Sequence, residues 1–231
     1  MDLKSARVLV TGGSSGIGLE TARQLRARGA QVAVCGRDAA RVRHAADQIG
    51  ALGIQADVSV EADVIRLVRT VIDAFGGYDT LVNNAGFGSF APLVETDLAE
   101  MQRVFGTNVF GAMMVARESA RHFIHQSRGK IVNVASTAGQ RGFAGGTAYS
   151  ASKFAVSAMT ECWRAELRKH NIRVMQINPS EVQTAFFAGR ERPQSDRKLR
   201  SLDIAQAILS MLELDERGFV TEISVWATNP D

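Results

Sequence analysis

The chain has 231 residues, of which 45% are hydrophobic and 22% charged, and its formal net charge is +3. These fractions are typical of a globular protein, and the length suits one α/β domain with a sizeable core. The basic residues are scattered and mostly matched by acids, which argues against nucleic-acid or membrane-surface binding. The first residues lack the apolar stretch of a signal peptide, and no run is long enough to span a bilayer. We therefore expect a cytoplasmic protein.

Strand-like runs alternate along the chain with stretches of helical periodicity. Strands are predicted at 7–11, 31–35, 53–57, 79–83, 130–135, 172–177 and 219–225, and helices at about 16–28, 38–49, 60–75, 97–126, 149–169 and 203–213. This alternation predicts an α/β fold with a doubly wound, Rossmann-type parallel sheet of about seven strands and helices on both faces. No linker or repeat divides the sequence, so residues 1–231 are expected to form a single domain.

The first strand-like run leads into a glycine-rich loop, Thr11–Gly18, that opens a helical pattern. A strand, a glycine loop and a helix in this order are the context of a dinucleotide-binding site. Glycine allows a tight turn and the close approach of a pyrophosphate, and the helix N-terminus supplies free N–H donors. An ordinary glycine-rich turn has the same appearance, so this interpretation depends on residues downstream.

A second motif places Tyr149 four residues before Lys153. On a helix these two side chains share one face. A cation beside a phenol lowers its pKa from about 10 and makes it a usable general acid or base. Ser136, at the end of the apolar run 131–135, could hold the oxygen of a reacting carbonyl beside them. The Tyr–Lys spacing alone is a weak signal, because it arises by chance on amphipathic helices.

Together these motifs resemble the short-chain dehydrogenase/reductase family, in its compact, 3-oxoacyl reductase-like branch, over almost the whole chain. The resemblance implies a catalytic set of Asn108, Ser136, Tyr149 and Lys153. The expected cofactor-binding set is Gly12, Ser14, Ser15, Gly16, Ile17, Gly18, Arg37, Asp57, Val58, Asn84, Ala85, Gly86, Tyr149, Lys153, Pro179, Val182 and Thr184. One departure is Ser180, where relatives usually have glycine, and it puts the detail of the nicotinamide contact in question.

The end of the second strand bears on the choice of nicotinamide cofactor. A site for NAD usually has a carboxylate there to accept the ribose 2′-OH. This sequence has Gly36 followed by Arg37, whose guanidinium suits a 2′-phosphate. Asp38 either caps the next helix or reaches the ribose. We predict that NADPH is preferred over NADH.

The resemblance implies an NADPH-dependent oxidoreductase that reduces a small-molecule carbonyl, a 3-oxoacyl thioester or a small ketone, to a secondary alcohol. In that chemistry Tyr149 supplies the proton, Lys153 lowers its pKa and binds the nicotinamide ribose, and Asn108 holds a water. One alternative is an NAD-dependent secondary alcohol dehydrogenase. Another is a catalytically silent NADP(H)-sensing protein, although such proteins typically lack the tyrosine or the lysine.

A polar stretch at about 185–202 is predicted to be a short substrate lid, because it follows the carboxyl end of a strand. Phe186 and Phe187 within it either contact the substrate or anchor the lid. We hypothesise that its cations attract an anionic substrate such as an acyl-coenzyme A. These cations are Arg190, Arg192, Arg197, Lys198 and Arg200.

Three further expectations concern packing, cysteines and metals. Apolar side chains on the two longest predicted helices, with the apolar edge strand 219–226, predict a homodimer or homotetramer. The helix residues are Met113, Met114, Phe123, Phe154 and Trp163. Cys35 and Cys162 are expected to be buried free thiols. The histidines lack ligand spacing to one another, so no metal site is expected.

Overall fold

The computed structural model describes residues 2–184 and 195–228. Its strands are β1 (Arg7–Thr11), β2 (Gln31–Gly36), β3 (Leu52–Gln55), β4 (Thr80–Asn83), β5 (Gly129–Val134), β6 (Ile172–Pro179), β7 (Val182–Gln183), β8 (Leu199–Arg200) and β9 (Glu222–Val225). All but β7 and β8 form one sheet in the order β3-β2-β1-β4-β5-β6-β9. Every pairing in this sheet is parallel. The predicted seven-stranded parallel sheet is therefore confirmed.

Seven α-helices connect the strands within the described residues. They are α1 (Gly16–Ala27), α2 (Ala39–Ile49), α3 (Glu61–Phe75), α4 (Leu98–Phe105), α5 (Ala112–His125), α6 (Thr147–Leu167) and α7 (Ser201–Glu213). The core consists of two buried clusters, one on each face of the sheet. Val8 and Val10 of β1 belong to one cluster and Leu9 to the other, because successive strand side chains point to opposite faces. Both faces are covered, as the Rossmann-type prediction requires.

The helix predicted at 97–126 is interrupted. Between α4 and α5 the chain forms a π-helical turn, Gly106–Gly111. Such wide turns are rare and occur frequently at functional sites. This turn contains Asn108, one of the expected catalytic residues.

The expectation for the two cysteines is half right. Cys35 is buried in β2, and burial raises the pKa of its thiol to about 12. Cys162 is exposed, so its predicted burial is wrong. It lies on a face of α6 directed away from the sheet, whereas its neighbour Trp163 is partly buried against the core. Among residues 2–184 and 195–228, no helix combines the length and apolar character of a bilayer-spanning segment.

Candidate active site

Three of the expected catalytic residues meet where β5 ends and α6 begins. Ser136 follows β5 by two residues, and Tyr149 and Lys153 occupy the first two turns of α6. The Lys153 ammonium donates a hydrogen bond of 2.9 Å to the carbonyl of Val134 and lies 5.8 Å from the centre of the Tyr149 ring. The fold thus assembles residues that are well separated in sequence at the carboxyl edge of the sheet, where open α/β folds bind ligands.

The environment of Tyr149 differs from the expectation in one respect. Burial raises the pKa of the Tyr149 phenol, and its hydrogen bond with Ser136 opposes that rise only in part. Burial also lowers the pKa of Lys153, to about 8. The predicted lowering of the Tyr149 pKa by Lys153 is therefore wrong in direction, because desolvation of the phenol outweighs the other effects. A phenol of raised pKa carries its proton at neutral pH, which is the form a general acid needs.

The Ser136 hydroxyl, just after the end of β5, lies beside the Tyr149 side chain. It accepts a hydrogen bond of 3.1 Å from the amide of Ala138 and lies 3.4 Å from the carbonyl of Pro179. Ser136 is buried, and its hydroxyl also contacts the Tyr149 side chain. Two hydroxyl groups therefore converge on one point, where an oxygen of a substrate can accept or share a proton.

Asn108 is buried and bonded mainly to neighbouring protein groups. Its amide nitrogen donates to the carbonyl of Phe87 at 2.9 Å and to the hydroxyl of Ser152 at 3.0 Å. Its amide oxygen accepts from the backbone N–H of Phe87 at 3.0 Å. Ser152 in turn donates to the carbonyl of Tyr149 at 2.7 Å. Asn108 therefore ties the segment after β4 to the catalytic helix, and its predicted role in holding a water stays a prediction.

Ser152 is a residue that the sequence analysis missed. It is buried, and it connects Asn108 to the backbone of Tyr149. Its place three residues after Tyr149, on the same helix, is a signal that could have identified it, because residues i and i+3 share a helix face.

The glycine loop has the geometry of a cradle for a phosphate. Gly12 and Gly16 adopt positive φ angles of 64° and 56°, which side-chain-bearing residues rarely do. A Cβ on Gly18 would lie 2.4 Å from the side-chain nitrogen of Asn84 and 2.5 Å from the backbone carbonyl oxygen of Gly12. The Ser15 side chain does not cap α1. The backbone N–H groups at the start of α1 are thus not engaged by the Ser15 side chain, which suits a pyrophosphate.

Asn84 fixes this loop from the end of β4. Its side chain donates to the carbonyls of Thr11 at 3.0 Å and Gly12 at 3.3 Å. The hydroxyl of Thr11 accepts from the backbone N–H groups of Asn84 and Ala85, both at 3.0 Å. Next along the chain, Gly86 lies beside Asn108 and Lys153: a Cβ there would be 3.0 Å from the Asn108 oxygen and 3.7 Å from the Lys153 nitrogen. This segment therefore joins the glycine loop to the catalytic residues.

The end of β2 is closely surrounded by side chains. A Cβ on Gly36 would lie 3.0 Å from a methyl carbon of Val42 and 3.2 Å from the hydroxyl of Ser14. Arg37 is exposed, and its guanidinium lies 5.9 Å from the centre of the Phe87 ring. Asp38 caps α2 by accepting a hydrogen bond of 3.0 Å from the backbone N–H of Arg41. Of the two roles considered for Asp38, the structure shows the capping role.

The other expected cofactor residues surround the same edge. Asp57 accepts hydrogen bonds from the N–H and hydroxyl of Ser59, and Val58 is buried. Pro179 ends β6 beside Ser136, and Val182 is buried in β7. A Cβ on Gly16 would lie 3.5 Å from the side chain of Thr184, so the segment after β6 reaches the glycine loop. Ser14, Ser15 and Ile17 lie within or beside that loop.

The predicted lid is described only from residue 195 onwards. Arg190, Arg192, Phe186 and Phe187 lie outside the described residues. Lys198 pairs with Glu181 at 3.0 Å, and Arg200 pairs with Asp196. These two cations are thus already balanced by acids, which weakens the hypothesis that the lid attracts an anionic substrate. In the part of the chain that the structure describes, no group of three or more His, Cys, Asp or Glu side chains could hold a metal ion.

Comparison with known proteins adds evidence independent of this geometry. The family model described as short chain dehydrogenase matches residues 6–195. An uncharacterized oxidoreductase of Staphylococcus aureus (strain USA300) is 31% identical over 220 residues, which are 94% of this chain and 95% of the relative. The uncharacterized oxidoreductase YxnA of Bacillus subtilis is 34% identical over 192 residues. That match covers 80% of this chain and 54% of YxnA, so the chain spans about half of that relative.

Solved structures resemble the whole chain. A 3-ketoacyl-(acyl-carrier-protein) reductase from Brucella melitensis, complexed with NADH, superposes with a TM-score of 0.92 at 30% identity, covering 99% of this chain and 100% of that one. A short chain dehydrogenase/reductase family protein has a TM-score of 0.87 at 36% identity and covers 97% of both chains. An alcohol dehydrogenase of the archaeon Thermococcus sibiricus, complexed with 5-hydroxy-NADP, has a TM-score of 0.88 at 24% identity, covering 96% of this chain and 97% of that one. At that identity the last likeness shows the fold alone.

Proposed function

This chain belongs to the short-chain dehydrogenase family of NAD(P)-dependent oxidoreductases, and on that premise we propose that it is an NADPH-dependent reductase of carbonyl compounds. The proposed product is a secondary alcohol, and the proposed substrates are 3-oxoacyl thioesters or small ketones. The observation that carries the proposal is the meeting of Ser136, Tyr149 and Lys153 beside a glycine cradle, at one edge of the sheet.

The side chains at this edge have distinct roles in the proposed reaction. The reduced nicotinamide, when bound, supplies the hydride that the carbonyl carbon accepts. Tyr149 gives its proton to the carbonyl oxygen as that oxygen becomes an alcohol, and the raised pKa keeps this proton in place at neutral pH. The Ser136 hydroxyl holds the same oxygen and stabilises the negative charge that develops on it. Lys153, whose ammonium is fixed by the carbonyl of Val134, supplies a positive charge beneath the ring of Tyr149.

Three features of the chain support NADPH as the preferred cofactor. Gly36 stands at the end of β2, where a site for NAD usually has a carboxylate, so the usual partner of a free ribose 2′-OH is missing. Asp38 is engaged in capping α2. Arg37 is exposed and has no carboxylate partner among the described residues, so its guanidinium is available for a 2′-phosphate.

The proposal is tested by adding carbonyl compounds to the purified protein with NADPH or NADH and following the loss of reduced nicotinamide. We expect turnover with NADPH for at least one ketone or 3-oxoacyl thioester. The Tyr149→Phe variant should lose about 10²- to 10⁴-fold in kcat, the usual effect of removing a general acid. Its affinity for NADPH should stay the same, because the ring still fills the same space. Wild-type kcat in this variant would show that Tyr149 is not the proton donor.

A further inference from the structure

Phe90 contacts the ring of the catalytic tyrosine, and Phe143 contacts Phe90 in turn. Phe90 meets Tyr149 edge-to-face, with ring centres 5.5 Å apart and planes inclined by 61°. Phe143 lies 6.0 Å from Phe90. We call Phe90 and Phe143 the aromatic wall. The Phe143 side chain is 50% exposed, although a ring of this size favours burial.

The backbone holds this wall in a defined position. The N–H of Ala91 donates to the carbonyl of Gly145 at 3.0 Å, and Ala91 forms a parallel bridge with Gly146. The ring of Phe143 rests directly on Gly146, where a Cβ would lie 2.8 Å from the ring. Gly145 has a φ of 77°, which permits the tight turn between them. Two chain segments that are distant in sequence therefore hold the exposed Phe143 ring in a defined position.

A cavity of about 160 Å³ adjoins the wall. Ser89 and Ala91, which flank Phe90, line it together with Ala148, the residue before Tyr149. Its remaining lining residues are Glu95, Thr96, Asp97, Glu100 and Met101. Phe90, Phe143 and Tyr149 are not among the residues that line it, so the cavity contributes charge near the wall and is not the space that receives the ring.

The charge around this cavity is negative. Glu95, Asp97 and Glu100 contribute carboxylates, and Glu100 pairs with Arg103. Lys198 and Arg200, in the described part of the predicted lid, are paired with acids. These carboxylates would repel phosphate groups of a substrate that passes close to the cavity, whereas an uncharged substrate would not be repelled.

We propose that the substrate is an uncharged aryl ketone whose ring packs against the aromatic wall while its carbonyl oxygen lies between Ser136 and Tyr149. This inference rests on the proposed carbonyl reduction and names its substrate class. Aromatic rings attract one another in edge-to-face and offset-stacked geometries, beyond the area they bury. Phe143, which is half exposed, is the residue that determines the preference for an aryl substrate. Of the two substrate classes proposed above, this inference selects small ketones over acyl groups on phosphorylated carriers.

The test compares kcat/KM for three substrates: a phenyl ketone, an aliphatic methyl ketone of similar hydrophobicity, and acetoacetyl-coenzyme A. In the wild type the phenyl ketone should have the highest value. Phe143→Ala should lower kcat/KM for the phenyl ketone by roughly fivefold to tenfold, mostly through KM, which is the size of one lost aromatic contact. The aliphatic ketone and the Kd for NADPH should change by less than about twofold, since neither needs the ring.

Two matched variants complete the experiment. Phe143→Tyr keeps the ring and should retain the preference for the phenyl ketone. Leu214→Ala removes an exposed apolar side chain at the end of α7, close to the contact between Lys130 and Leu212 at the opposite edge of the sheet. This variant should change neither kcat/KM for any of the three substrates nor the Kd for NADPH. Equal losses for both ketones in Phe143→Ala, or a higher wild-type kcat/KM for the coenzyme A ester, would overturn the inference.

Failure of the inference and failure of the proposed function give different results. An enzyme that reduces both ketones without discrimination, before and after Phe143→Ala, contradicts ring recognition and leaves carbonyl reduction standing. A protein that binds the phenyl ketone in saturation-transfer NMR, loses that binding in Phe143→Ala, and reduces nothing contradicts the proposed function instead. A protein that neither binds nor reduces the phenyl ketone contradicts the inference.

Discussion

Arg37 and Phe87 form a contact that bears directly on cofactor choice. The guanidinium groups of Arg37 and Arg103 lie 5.9 Å and 5.8 Å from the centre of the same Phe87 ring, but Arg103 also pairs with Glu100. Arg37 has no such acidic partner within the described residues. Stacking on an aromatic ring restricts the motion of a guanidinium without neutralising its charge. Arg37, which follows Gly36 at the end of β2, thus keeps its charge available for an anion.

We predict that Arg37→Ala weakens NADPH binding more than NADH binding. Loss of a charge-assisted hydrogen bond to the 2′-phosphate should cost about 1.5–3 kcal/mol in the binding free energy of NADPH. Titration of the protein with each cofactor measures the difference. Arg69→Ala, on the exposed face of α3, is the control and should affect neither cofactor. Equal losses for the two cofactors in Arg37→Ala, or a wild-type preference for NADH, would contradict the assignment.

At the scale of single elements, the loop between β1 and α1 is under steric constraint. We predict that Gly18→Ala reduces NADPH affinity by about tenfold or more, because overpacking of this kind costs about 1–3 kcal/mol and the loop must move to relieve it. The Cβ would press on a backbone carbonyl, that of Gly12, which cannot rotate away as a side chain can.

Gly218→Ala is a suitable control for this substitution, because no atom lies within 4 Å of the Cβ it would add. Calorimetric titration with NADPH, alongside circular dichroism to confirm folding, distinguishes the two variants. If Gly18→Ala folds and binds NADPH as tightly as Gly218→Ala does, the loop does not form the cofactor cradle.

The junction of β5 and α7 contains a buried lysine. Lys130 donates a hydrogen bond of 2.8 Å to the carbonyl of Leu212, near the end of α7. Burial lowers its pKa to about 8. In the unfolded chain a lysine has a pKa near 10.4. Between these values the unfolded chain binds more protons than the folded one, so Lys130 makes the free energy of unfolding increase with pH over this window.

We therefore predict a difference in pH dependence between the wild type and Lys130→Met. From about pH 8 to about pH 10.4 the free energy of unfolding of the wild type should rise relative to that of the variant, and below pH 8 the difference between them should be constant. Urea denaturation across this range measures both. A difference that is independent of pH throughout would show that Lys130 keeps its ordinary pKa.

At the scale of the whole molecule, exposed apolar side chains favour self-association. Phe110, in the π-helical turn, is 56% exposed and Phe154, on α6, is 45% exposed. Two of the residues predicted to form the subunit interface, Met114 and Phe123, are instead buried in the chain's own core. Trp226, following the edge strand β9, is 58% exposed. We expect these exposed residues to lie in the interface of the predicted homo-oligomer.

We predict a homodimer or homotetramer by sedimentation velocity at micromolar concentration. Phe154→Arg should shift the distribution towards smaller species, since a charge at an apolar interface is costly to bury. Ile65→Arg, at an exposed position on α3, is the comparison and should leave the distribution unchanged. A wild-type protein that sediments as a monomer would refute the prediction.

Features confined to a short stretch of sequence were predictable. The glycine loop and the pairing of Tyr149 with Lys153 depend on spacing within one loop or one helix, and both occur as expected. The alternation of strands and helices predicted the sheet, because the hydrophobic period of each element is local. Ser136 and Asn108 were identified through family resemblance, since each alone is indistinguishable from a satisfied buried polar residue.

Other properties depend on residues brought together from distant parts of the chain. Phe90 and Phe143 meet beside Tyr149 only in the folded protein, and no spacing in the sequence pairs them. The direction of the Tyr149 pKa shift is decided by how deeply the surrounding chain buries the phenol, which outweighs its hydrogen bond with Ser136. The same holds for the exposure of Cys162 and the burial of Met114. Solvation is set by all neighbouring segments at once, and only the tertiary structure specifies those neighbours.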